Sequence, residues 1–148
     1  MKKTLDAVGI EIGCADLIID IDHLPKGNES VCIRDYSLQG GGKVSTALAA
    51  MARLDKTVML LGSVDNGRFG QFILKDLRDQ GVDVSQMHLI PIEEGHSPFS
   101  IVLSNRDTKE RSILWHPGTL NTEKLQINDD LIRKSRFLHL ARSNEQTK

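Results

Sequence analysis

The sequence predicts an α/β fold built on a parallel sheet with a smaller antiparallel annex. Between positions 42 and 90, predicted strands and helices alternate, which is the pattern of parallel strands joined by crossover helices. Two hairpin-like segments, 16–36 and 98–116, interrupt that alternation and are predicted to form the annex. The chain has 148 residues, the length of one domain.

Apolar periodicity and helix propensity define each predicted element. A run of Val, Ile and small residues at 5–12 indicates a buried strand, whereas 17–22 alternates apolar and acidic residues as a half-exposed strand does. Ala, Leu and Met favour a buried helix at 44–54, and one apolar face indicates an amphipathic helix at 69–80. The other predictions are strands at 31–36, 57–61, 82–90, 98–103, 111–115 and 136–140 and a helix at 128–134.

Composition and charge exclude several classes of protein. The sequence is 39% hydrophobic and 26% charged, and its formal net charge of -1 creates no strong field for nucleic acid or an anionic membrane. No apolar run reaches the ~18 residues of a membrane span, and no secretory signal is visible, so we expect a cytoplasmic protein. We expect Cys14 and Cys32 to be buried, reduced thiols, and the histidines show no metal-ligand spacing.

Three consecutive glycines, Gly40-Gly41-Gly42, precede the first predicted helix. Glycines let a ligand approach the backbone, and a helix start offers unpaired N–H groups to an anion or a sugar hydroxyl. A tight turn that only feeds a buried helix is the alternative. Neither the phosphate-loop motif nor the dinucleotide fingerprint is present. Lys43, next to the glycines, is equally compatible with a ligand contact and with an exposed first-turn position.

Asp16 is the second candidate, because it follows the first buried strand. Ligands of open α/β sheets collect at the carboxyl ends of the strands. A carboxylate there can accept hydrogen bonds from ligand hydroxyls. The alternative is a solvated acidic residue at a strand end.

Several segments, in this order, resemble the amino-terminal half of the ribokinase, or PfkB-type, family of carbohydrate kinases. The resemblance spans positions 8 to about 140 and is specific as a combined pattern. It rests on Gly41-Gly42 before a helix that ends in Ala52-Arg53-Leu54, on Leu61-Gly62-Ser63-Val64, on Arg68-Phe69-Gly70, on Gln80-Gly81-Val82-Asp83, on Ser97-Pro98-Phe99, on Glu110-Arg111 and on Trp115-His116.

The resemblance implies a Rossmann-type parallel core with a small antiparallel β lid, formed by segments 16–36 and 98–116. It also implies transfer of the ATP γ-phosphoryl group to a sugar hydroxyl. By position, Asp16 matches the aspartate that binds sugar hydroxyls, and Gly41, Gly42 and Lys43 match the sugar-contacting loop. Thr46 stands where many members have asparagine, and Asp65 stands where glycine is usual.

The same resemblance implies that residues 1–148 are the amino-terminal part of one kinase domain. The catalytic base, the anion hole and the sites for ATP and Mg²⁺ belong to the carboxy-terminal part, so we expect this chain alone to bind neither cofactor well and to be inactive. The alternatives are a non-catalytic sugar-binding module and a module that forms a homodimer through its lid. A nucleotide-binding regulator is a third, weaker hypothesis, because both phosphate-loop patterns fail.

Overall fold

The computed structural model describes residues 4–120 and 127–141, and it confirms the predicted α/β class. These residues form eight strands and three helices. They are β1 (Leu5–Ile10), β2 (Cys14–Ile21), β3 (Ile33–Gly41), α1 (Lys43–Ala52), β4 (Val58–Asp65), α2 (Arg68–Asp79), β5 (Met87–Ile90), β6 (Phe99–Asn105), β7 (Arg111–His116), α3 (Asp129–Lys134) and β8 (Ser135–Leu140).

The core is a four-stranded sheet in the order β5-β4-β1-β8, and every pair in it is parallel. Helices α1 and α2 cover one face, where Leu48, Leu60 and Ile73 are completely buried. Helix α3 packs Leu131 on the opposite face, against Val8 of β1. Alternate residues of β1 therefore serve two hydrophobic layers, as a strand covered on both faces requires.

The lid is a second four-stranded sheet in the order β3-β2-β6-β7. The β2–β3 and β6–β7 pairs are antiparallel, as predicted, but the central β2–β6 pair is parallel. The predicted antiparallel lid is therefore a mixed sheet, in which one parallel pair joins two antiparallel hairpins. Each hairpin folds back on itself, whereas β2 and β6 both begin at the core and extend away from it, so they run in the same direction.

Several predicted boundaries differ from the structure, and so does the predicted burial of both cysteines, since Cys14 is only half-buried. Strand β3 continues to Gly41 because Gly40 and Gly41 pair with β2, and β4 continues to Asp65 because β5 pairs with its second half. In the predicted strand 82–90, only Met87–Ile90 forms β5, after an isolated bridge at Asp83. Cys32 is exposed, since it precedes an edge strand.

A buried polar contact connects the core to the lid. Asp65, the last residue of β4, and Ser97, just before β6, are 3% and 1% exposed. The Asp65 N–H donates to Ser97 Oγ at 2.9 Å, and the Ser97 N–H donates to Asp65 Oδ2 at 2.6 Å. Burial acts to raise the pKa of Asp65, but hydrogen bonds from Ser97 and from the Gly67 N–H outweigh it and hold that pKa below its usual value.

None of the helices in the described ranges is both long and apolar enough to cross a bilayer.

We expect Ser97→Ala to destabilise the protein by about 1–3 kcal/mol, because it leaves the buried Asp65 N–H without its acceptor. Urea unfolding followed by circular dichroism measures the free energy of unfolding. Ser30→Ala removes an exposed hydroxyl and should leave that free energy within about 0.5 kcal/mol of the wild-type value. Equal unfolding midpoints for Ser97→Ala and the wild type would contradict this role of Ser97.

Candidate functional site

The three glycines lie where the lid meets the core. Gly40 and Gly41 end β3, and Gly42 is the N-cap residue of α1. Gly42 has a φ of 103°, a conformation that side chains disfavour. A Cβ atom at Gly41 would overlap the Asp16 carboxylate, and one at Gly42 would overlap the Glu11 carboxylate. The glycines therefore let two acidic side chains lie directly against the backbone.

Asp16 lies near the start of β2, and both neighbouring strands define its environment. It is opposite Gln39 on β3 and Ser100 on β6. The Ser100 hydroxyl donates to Asp16 Oδ1 at 2.6 Å, and the Cys14 thiol donates to the same oxygen at 3.5 Å. Oδ2 accepts no hydrogen bond from the described part of the chain, so it remains available to a donor.

Cys14 is half-buried beside this carboxylate. Burial, the charge of Asp16, the hydrogen bond to Asp16 and the charge of Glu11 together raise the pKa of the Cys14 thiol to about 12. The thiol is therefore protonated at neutral pH. It acts there as a weak donor to Asp16 rather than as a nucleophile.

Glu11 is a site residue that the sequence analysis missed. It follows β1, and its side chain reaches the first turn of α1. Its Oε1 accepts from the Lys43 N–H at 3.0 Å, and its Oε2 accepts from the Ser45 N–H at 2.8 Å and the Ser45 hydroxyl at 2.9 Å. The prediction of unpaired N–H groups at this helix start was therefore wrong for Lys43 and Ser45.

Lys43 and Thr46 lie in the first turn of α1, and both are exposed. Neither side chain has a hydrogen bond to another described residue. In the structure, Asp16 lies against Gly41, and Glu11 lies against Gly42. We call the place where these four residues meet, between the end of β1, the start of β2 and the start of α1, the corner. The exposed side chains of Lys43 and Thr46 lie at its edge.

No cluster of three or more metal-ligating His, Cys, Asp or Glu side chains occurs within residues 4–120 and 127–141.

We expect the pH dependence of alkylation to distinguish the two thiols. In a Cys32→Ser variant, the rate of Cys14 alkylation by iodoacetamide should still rise above pH 10, because its pKa is about 12. Removing the Asp16 charge by Asp16→Asn should move that profile to lower pH. The matched Cys14→Ser variant reports the exposed Cys32. A Cys14 profile centred at the ordinary value of 9.0 would contradict the prediction.

Comparison with known proteins identifies the family. The family described as pfkB family carbohydrate kinase matches residues 6–147. An ATP-dependent ribose-1-phosphate kinase from Halopiger xanaduensis is 27% identical over 133 residues, which are 89% of this chain and 44% of that protein. A 5-dehydro-2-deoxygluconokinase from Geobacillus thermodenitrificans is 29% identical over 143 residues, 95% of this chain and 41% of that protein.

Among solved structures, Arabidopsis thaliana ribokinase complexed with ribose and ATP superposes with a TM-score of 0.77 at 21% identity. The superposition covers 95% of this chain and 45% of that one. The chain therefore spans less than half the length of these relatives. The family match, which extends over nearly all of the sequence, together with this shared fold, establishes that the chain belongs to the pfkB family of carbohydrate kinases.

Proposed function

We propose that this chain is the sugar-binding and lid half of an ATP-dependent sugar kinase, with Asp16 as the acceptor for sugar hydroxyls. The observation that supports the proposal most directly is the hydrogen bonding of the Asp16 carboxylate. Ser100 and Cys14 hold Oδ1, whereas Oδ2 lies against Gly41 without a donor from the described residues. A carboxylate oriented in this way can accept a charge-assisted hydrogen bond from a ligand hydroxyl.

The other predicted contacts complete this proposal. Gly41 and Gly42 give a sugar close access to the backbone, and Lys43 and Thr46 are exposed on the adjoining turn and can donate to further hydroxyls. The relatives named above act on ribose 1-phosphate and 5-dehydro-2-deoxygluconate, and the related ribokinase binds ribose. We therefore assign a sugar or sugar derivative as the substrate class.

Phosphoryl transfer needs more than a sugar site. It requires ATP, Mg²⁺, a base for the acceptor hydroxyl and groups that stabilise charge on the transferred phosphoryl. We propose that these reside in the other half of the complete family enzyme and that the 148-residue chain alone does not turn over. The supply of ATP is consistent with a cytoplasmic location for such an enzyme.

We expect Asp16→Asn to weaken sugar binding at least about tenfold, because a hydrogen bond to a charged group contributes roughly 1.5–3 kcal/mol. Isothermal titration of the chain with D-ribose and D-fructose measures this. Asp35→Asn is the matched control, since it removes a carboxylate from the same face of the lid, and it should change Kd less than about twofold.

Equal affinities in the Asp16→Asn variant and the wild type would refute the role of Asp16. A parallel assay of sugar-dependent ATP hydrolysis by the purified chain is expected to show none, and turnover would refute the proposed division between the two halves.

A second proposal concerns the face of the lid opposite Asp16. The strand register places Leu38, Leu17, Ile101 and Leu114 in one row on that face. Leu38 is 37% exposed and Leu114 is 59% exposed. The neighbouring row adds Tyr36, which is 71% exposed. An apolar face of this kind marks an interaction surface, and we propose that a second copy of the chain covers it.

We expect Leu114→Lys to shift a dimer towards the monomer in sedimentation equilibrium, because it puts a charge on the apolar face, where the partner chain would bury it. Ile113→Lys is the matched control. Ile113 is 51% exposed, but the register turns it to the Asp16 face, so this variant should leave the association constant unchanged. A wild-type chain that is monomeric at every concentration would rule the homodimer out.

A further inference from the structure

The Glu11 carboxylate accepts hydrogen bonds from backbone N–H groups at the start of α1, so this helix start is already occupied by an anion from the chain itself. The amides of Lys43 and Ser45, which Glu11 binds at 3.0 and 2.8 Å, are among those that a helix start offers to an anion. The Ser45 hydroxyl, on a residue that is 4% exposed, adds a third bond at 2.9 Å. A phosphate or carboxylate group of a ligand would have to displace Glu11 before it could use these donors.

A second carboxylate adjoins the first. Asp16 lies against Gly41 and Glu11 lies against Gly42, so the two acidic groups contact successive residues of the loop. Both charges also act on the same half-buried thiol, Cys14. Like charges in a partly buried site repel more strongly than they do in water. Lys43 adds one positive charge at the edge of the corner. With two carboxylates and one lysine, the corner has a negative net charge.

We propose that Glu11 is a specificity-determining residue that restricts the Asp16 site to neutral sugars and rejects sugar phosphates and sugar acids. The inference rests on the proposed function, because it names the class of sugar that the same site accepts. It distinguishes this chain from the two relatives named above, whose names specify a sugar phosphate and a sugar acid as substrates. A neutral sugar can donate hydroxyls to Asp16 Oδ2 and leaves the Glu11 contacts with α1 intact. An anionic sugar adds a third negative charge to a corner that already holds two.

The first part of the test compares matched pairs of sugars on the 148-residue chain at fixed ionic strength. By isothermal titration, D-ribose is expected to bind at least about tenfold more tightly than ribose 1-phosphate. D-glucitol is expected to bind more tightly than D-gluconate by a similar factor. Glu11→Gln keeps an acceptor for the helix amides and removes the charge. In this variant the affinity ratio between the neutral and the anionic sugar of each pair should therefore be smaller. Glu94→Gln removes an exposed charge elsewhere and should leave both differences unchanged.

The second part does not depend on sugar binding. Sodium phosphate and sodium gluconate are titrated into the ¹⁵N-labelled chain, and the amide resonances of Lys43 and Ser45 are followed. The wild type is expected to show no saturable shift, whereas Glu11→Ala, which vacates the helix start, should show one. The circular dichroism spectrum of each variant verifies that it is folded, and Glu11→Ser, whose short side chain also vacates the helix start, serves in place of Glu11→Ala if the latter is not.

The two parts separate the two proposals. If no sugar binds at all, the proposed sugar site fails, and the amide titration still decides the role of Glu11. Tighter binding of the anionic member of each pair to the wild type would overturn the specificity. A saturable shift in the wild type, or none in the folded Glu11 variant, would show that Glu11 is not what excludes anions.

Discussion

The contact between backbone and carboxylate at Gly41 and Gly42 is the constraint on which the site depends. Any side chain at either position would occupy the space that Asp16 or Glu11 now fills. The positive φ of Gly42 also turns the chain from the end of β3 into α1. Two adjacent residues without side chains therefore bring the end of β1, the start of β2 and the start of α1 into one corner.

Local patterns predicted most of the fold, because most elements depend on local chemistry. The apolar face of α2 and the strand–helix alternation predicted helices and parallel strands correctly. The predicted fourth strand, 57–61, ended before Gly62 and Ser63, whereas β4 continues to Asp65. In the structure, β5 pairs with β4 at those residues. Pairing between distant segments decided that boundary, and the composition of the segment does not reveal it.

The same distinction applies to the site. The sequence made Asp16 a candidate by its position after a buried strand, and it made the glycines candidates by their composition. Glu11 could not, since its partners Lys43 and Ser45 are 32 and 34 residues away and no spacing motif connects them. Ser100, which orients Asp16, is 84 residues away along the chain. Tertiary contacts bring Glu11 and Ser100 into the candidate site. For Ser100, the contact is set by the parallel register of β2 and β6, which places it opposite Asp16.

The position of β1 has a consequence for how the chain folds. This strand is near the beginning of the sequence, yet it lies between β4 and β8, and Leu5 pairs with Ser135. During synthesis β1 is made before both of its neighbours, and β8 is made only after the entire lid. Parallel pairings between such distant segments form slowly. Until β8 is made, one hydrogen-bonding edge of β1 is open to incorrect partners, which exposes the nascent chain to mispairing at this strand.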